Sequence, residues 1–126
     1  MLLTEDEDLR FDEKSDEELL ALSVKNPEIF GILLNRYQDA FLRKSQAVVF
    51  SREEAEDIVQ ETFAKIYTNA HRFEVVEGAS FKSWGYRILL NTSFTHYQRL
   101  KRKRGAHADL DPEFYELLPD LEHRQF

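Results

Sequence analysis

From residue 55 to residue 70 the apolar and small positions fall at Ala55, Ile58, Val59, Thr62, Phe63, Ile66, Tyr67 and Ala70. That is the i, i+3, i+4 rhythm of a single helix face. Glu53, Glu56, Asp57, Gln60, Glu61 and Lys65 occupy the opposite side. The pattern predicts an amphipathic helix opening at about Arg52, with Ser51 and Glu54 spaced as a capping box. Ser15 and Glu18 carry the same signature ahead of Leu19, Leu20 and Leu22, and Asn26 followed by Pro27 closes that earlier helix. Pro27 suits the first turn of the next helix, over residues 27–50, where Phe30, Leu33, Leu34, Tyr37, Phe41 and Val48 are positioned for a core. The periodicity fails over RFEVVEGA, residues 72–79, and Gly78 supports a loop.

A fourth helix is predicted over residues 80–104, roughly 37 Å long at 1.5 Å per residue. Trp84, Ile88, Asn91, Thr95, Arg99 and Arg102 share one side of it; Tyr86, Leu90, Phe94, Tyr97, Lys101 and Arg104 form a second row. Both rows start apolar and end cationic. The first half therefore packs, with Phe81, Trp84, Ile88 and Leu90 as core candidates, and the second half projects as a basic arm. After Gly105 the chain turns polar and acidic, and DPEFYELL suggests one or two helical turns limited by Pro119. No strand pattern or internal repeat is present. The expectation is an all-α fold, a compact bundle of about four helices over residues 15–104, between flexible acidic ends at 1–14 and 105–126.

Composition sharpens this picture in three ways. At 126 residues the chain is one domain, and 42% hydrophobic residues can supply its core. Without cysteine there is neither a disulfide framework nor a thiolate metal site. No apolar run approaches the ~20 residues that span a bilayer, and the acidic N-terminus lacks the apolar stretch of a signal peptide. No membrane insertion is expected, and the reading is cytoplasmic. The net charge of -7 conceals a partition. Residues 1–18 hold nine acids and two bases, residues 105–126 six acids and one base, and the stretch between nine acids and fourteen bases. Fields are set locally, so a polyanion is the natural partner of the middle segment. The acidic flanks would discourage indiscriminate DNA binding by the free protein.

Enzyme chemistry finds little footing. His71, His96, His107 and His123 form no HxxxH pair. Glu54, Asp57 and Glu61 line one helix, but the Glu-x-x-His tetrapeptide of carboxylate-bridged di-iron bundles is missing. No phosphate-binding glycine loop or nucleophile elbow occurs. No catalytic residue, metal or cofactor is expected.

AEDIVQETFAKIYTNAHRFE, then SFKSWGYRILLN, then a basic helix end, together resemble region 2 of the extracytoplasmic-function group of bacterial sigma factors, over residues 15–104. The resemblance implies a transcription initiation domain that binds the clamp coiled coil in the largest subunit of core RNA polymerase. It further implies recognition and melting of the −10 promoter element, by capture of a flipped base of the non-template strand. On this resemblance Asp57, Gln60 and Glu61 are the polymerase-binding residues; Asn69, Phe73, Ile88 and Asn91 line the base pocket together with the loop 73–80. Arg99, Lys101, Arg102, Lys103 and Arg104 hold the DNA backbone. An amide such as that of Asn91 can both donate to and accept from a base edge, and Phe73 and Ile88 offer apolar contact to a base face. The bland alternatives are a solvated helix face for the acids and a structural hydrogen bond for Asn91.

The chain departs from the wider family at Arg87 and Ile88, where primary sigma factors resemble one another in a tryptophan pair, and at His96, Gln98 and Arg99. The first departure implies weaker, more sequence-dependent melting. The helix-turn-helix domain that reads the −35 element is missing, so the chain reads as a piece of a longer sigma factor ending in its linker; a short, region-2-only protein is the alternative. An anti-sigma factor is a further expected partner. The rival from another class is a helical protein-interaction module that binds an anti-sigma factor or polymerase regulator without DNA readout.

Overall fold

The computed structural model describes residues 11–73 and 79–104, and for Arg104 the backbone alone. Among the described residues four α-helices have both ends defined: α1 Asp16–Lys25, α2 Phe30–Val49, α3 Arg52–Thr68 and α4 Phe81–Arg104, with 3₁₀ turns at Pro27–Ile29 and Ala70–Arg72. No described residue is in a strand. The loop 74–78, the acidic end 105–126, residues 1–10 and the expected turns of DPEFYELL lie outside the described residues.

Local chemistry sets the boundaries. The Ser15 hydroxyl accepts from the Glu18 N–H at 3.1 Å, and the Glu18 carboxylate accepts in return from the Ser15 N–H at 3.4 Å. Ser51 opens α3 in the same way, its hydroxyl accepting from the Glu54 N–H at 3.3 Å. The expected second capping box is only half formed, because the Glu54 carboxylate lies 3.8 Å from His96 Nδ1 on α4 instead of returning to Ser51. Ser80 caps α4 by accepting from the Ser83 N–H at 3.1 Å. A second acceptor comes from far away in the chain: the Phe81 N–H donates to Glu17 Oε2 at 2.6 Å. A carboxylate from α1 thus meets the positive end of the α4 dipole.

α2, α3 and α4 pack on one another, and α1 lies against α2, both 3₁₀ turns and the start of α4. The fully buried side chains include Leu19, Leu33, Phe41, Ile58, Ile66, Phe81, Leu89 and Phe94. At their centre Phe41 stacks on Phe63 at 5.2 Å and meets Tyr86 edge-on at 5.0 Å. Such aromatic pairs add about 0.5–1.5 kcal/mol each beyond area burial. α1 is pinned by Asp16, which accepts from Arg36 Nη1 at 2.8 Å and from the Tyr37 hydroxyl. Burial first, then the hydrogen bond to Asp16 and the nearby carboxylate charges, push the Tyr37 pKa well above its ordinary value.

The buried side of α4 differs from the two rows expected of it. Phe81, Gly85, Leu89, Thr92, Ser93, Phe94 and Tyr97 are buried, while Trp84, Ile88 and Leu90 are only half-buried. The reason is close approach. A Cβ on Gly85 would stand 3.4 Å from the Phe41 ring and 3.6 Å from Phe81. Further along, Ser93 faces Ser45 of α2 at 3.5 Å and donates to the Leu89 carbonyl at 2.7 Å. Small side chains bring the helices together, and the Ser93 hydroxyl is satisfied by its own helix backbone. Every buried side-chain N or O among the described residues has a partner.

Candidate nucleic-acid interface

α3 and α4 run antiparallel, with rungs between them. Glu61 faces His96 Nε2 at 3.3 Å, Lys65 Nζ donates to Thr92 Oγ1 at 2.9 Å, and beyond the end of α3 the Phe73 ring meets Trp84 at 5.1 Å. This order places Asn69 level with Ile88, one turn on from the Lys65 rung. The interface candidates are distributed along this ladder and its outer faces.

On the outer face of α3, Asp57 and Gln60 are exposed. Glu61 is half-buried and already engaged, by Lys65 Nζ at 3.0 Å and by His96. Burial raises its pKa, but the hydrogen bonds from Lys65 and His96 and their charges outweigh it. The carboxyl is held below the ordinary glutamate value.

At the other end of the ladder a cleft of about 380 Å³ opens between the 3₁₀ turn and the start of α4, lined by Arg72, Phe73, Ala79, Ser80, Ser83, Trp84 and Arg87. It offers two aromatic faces, two hydroxyls and two guanidinium groups. Of the four residues assigned to a base pocket by sequence, only Phe73 lines this cleft. Asn69 spends an amide N–H on the Lys65 carbonyl at 2.8 Å, closing α3. Ile88 and Asn91 stand one and two turns along α4 from Trp84, half-buried, in the direction of the basic end. The Asn91 backbone carbonyl accepts from Thr95 Oγ1 at 2.9 Å, and its side-chain amide makes no hydrogen bond to another described residue.

Arg72, Trp84 and Arg87 line this cleft and are not among the site candidates read from the sequence. A signal existed: Ser80, Ser83, Trp84 and Arg87 follow i, i+3, i+4, i+7 spacing on one face of α4. At the far end Arg99, Lys101, Arg102 and Lys103 are exposed; the Arg104 side chain lies outside the described residues. Among the described residues no three His, Asp or Glu side chains group so as to hold a metal ion, and no helix is long and apolar enough to cross a membrane.

Residues 33–103 match the family model of Sigma-70 region 2. The chain belongs to the Sigma-70 region 2 family. Its relatives include the RNA polymerase sigma-H factor of Pseudomonas aeruginosa, 32% identical over 99 residues that cover 74% of this chain and 50% of that protein. The ECF RNA polymerase sigma-E factor of Haemophilus influenzae is 32% identical over 91 residues, 70% of this chain and 46% of that protein. The ECF RNA polymerase sigma factor SigW of Bacillus subtilis is 27% identical over 88 residues, 70% of this chain and 41% of that protein. The chain thus spans half or less of the length of these curated relatives. Among solved structures it is similar to an engineered region 2 of sigmaE determined by NMR in complex with GTAAAA, with a TM-score of 0.62 and 27% identity over 82% of this chain and 99% of that one. The all-α fold and the likeness to the extracytoplasmic-function group are as expected. Sigma-70 region 2 belongs to transcription initiation factors, which are not enzymes.

Proposed function

We propose that this region 2 docks on the clamp coiled coil of core RNA polymerase through the outer face of α3 and engages the −10 non-template strand along α4. The observation that carries the reading is the division of the surface. Carboxylates and an amide, Asp57 and Gln60 foremost, are exposed on α3, while α4 runs from the aromatic cleft at Phe73 and Trp84 to the exposed cations at Arg99, Lys101, Arg102 and Lys103. An acidic face suits a basic protein surface and repels phosphate; a basic helix end does the reverse. The likeness to a region 2 bound to GTAAAA supports a strand path on this fold.

On this reading one unstacked base seats against Phe73 and Trp84, with Arg72 and Arg87 near its phosphates. The strand then passes Asn69, Ile88 and Asn91 and leaves over the cations of α4. Extruding a base from the duplex costs a few kcal/mol, which stacking in the cleft and edge hydrogen bonds further on must offset. The domain works in the cytoplasm with polymerase, and an anti-sigma factor competes for one of the same faces. The test is capture of purified core polymerase by the chain carrying Asp57→Lys with Gln60→Ala. Both side chains are exposed, so circular dichroism should be unchanged while capture is lost. Retained capture would remove α3 from the docking surface.

A further inference from the structure

Phe50, between α2 and α3, has a backbone conformation that residues with a side chain rarely adopt. It has φ 57° and ψ 22°, and among the described residues no other non-glycine residue has a positive φ. The left-handed basin crowds a Cβ against the backbone, and helices that end in it generally use glycine or asparagine there. The backbone has a reason to be left-handed, since the Phe50 N–H closes α2 by donating to the Gln46 carbonyl at 2.8 Å. The ring has no comparable reason within the domain. It is 62% exposed, more than Leu22, Val24 or Tyr67, the other exposed large apolar side chains among the described residues. A residue that strains its backbone and gains little burial points outward to a partner.

The surroundings choose the partner. Ser51 follows as the cap of α3, and the exposed Glu53, Glu56, Asp57 and Gln60 run along α3 from that end. The exposed charges that follow Phe50 along the first turns of α3 are one cation, Arg52, and then the carboxylates of Glu53, Glu56 and Asp57; that acidic balance disfavours nucleic acid and anionic lipid, and favours a protein surface with cations around an apolar recess. We infer that Phe50 is the apolar anchor of the α3 docking face, inserting into a cation-rimmed apolar pocket on core RNA polymerase. This rests on the proposed docking of α3 to polymerase and adds its energetic centre. Polar contacts orient the face, whereas a buried aromatic anchor at the edge of a charged column supplies hot-spot affinity.

The inference makes two effects of one substitution move in opposite senses. Phe50→Gly should leave the melting temperature equal or higher, because glycine suits the left-handed position, and should weaken binding to purified core polymerase by about tenfold or more. Phe50→Asn should do the same, excluding a special effect of glycine flexibility. Unchanged affinity in either variant overturns the inference, as does a fall in melting temperature that accounts for lost binding. Sedimentation of the free chain adds a third outcome: a wild-type dimer that becomes monomeric on Phe50→Gly would assign the ring to a second copy and overturn polymerase docking of Phe50. The Asp57→Lys, Gln60→Ala chain serves as the companion. If it loses binding while Phe50→Gly retains it, only the anchor is wrong; if it binds normally, the docking face itself is wrong.

Discussion

Asn91 presents an amide on a half-buried stretch of α4 without a hydrogen bond to any other described residue. Removing it should therefore leave the fold intact and act on DNA. Asn91→Ala is expected to weaken binding to the preferred −10 strand by about 1–3 kcal/mol, the range for a good base-edge contact. Binding to a strand altered at the contacted base should hardly change. Paired anisotropy titrations decide it, and equal losses on both strands would make Asn91 structural. Glu61 is the opposite kind of residue, tied into its own domain by Lys65 and His96. Its folded pKa is lowered, so its stabilisation is present above the ordinary glutamate value of about 4.3 and is lost as pH falls through the folded value. The side chain is 39% exposed, so solvent screening limits the effect to about 0.5 kcal/mol. In thermal unfolding, the advantage of wild type over Glu61→Gln should hold at pH 6–7 and shrink below pH 4; a constant difference would mean that Lys65 and His96 do not act through the charge.

The helices were unequally legible. In α3, Ala55, Ile58, Val59, Thr62, Phe63 and Ile66 are all buried, because a helix with one neighbour-facing side writes its burial as a plain 3.6-residue rhythm. Tyr67, in the same stripe, remains 41% exposed and leans edge-on against Phe30 at 5.1 Å. In α4 the buried line passes through Gly85, Thr92 and Ser93, which a hydrophobicity pattern scores as polar or neutral, so the eye goes to Trp84, Ile88 and Leu90 instead. Nothing local announces that Glu17 caps α4 from 64 residues away, or that Phe73 meets Trp84 across a cleft. The cationic end of α4 was legible because charge is a property of composition and needs no partner to be seen. If all five cations from Arg99 to Arg104 meet phosphates, binding to single-stranded promoter DNA has a log–log salt slope of at most about −3.5. Neutralising Arg102 and Lys103 should flatten it by roughly 1.4. A slope indifferent to that change would make the arm a solvated helix end.

Over the whole molecule the charges are segregated by position in the chain. The central stretch, residues 19–104, has five more bases than acids, and both flanks are strongly acidic. Residues 105–126, with six acids against one base, follow directly on the basic end of α4. If the basic end of α4 binds phosphate as proposed, a tethered polyanion beside it competes with DNA at a high effective concentration, without any fixed structure being required of it. Sequence-specific contacts can offset that competition; contacts with phosphate alone cannot. Deleting residues 105–126 takes the net charge from -7 to -2 and should strengthen binding to a random-sequence single strand several-fold at low salt. The gain should be smaller on the preferred −10 strand, where base contacts already favour the complex. It should fade toward 1 M salt, where the screening length is only about 3 Å. Anisotropy titrations of both chains against both strands, at two salt concentrations, separate the outcomes. A gain that survives high salt would mean the segment blocks the site by occupying it and not by its charge. No gain at low salt would mean the acidic flank does not guard the arm.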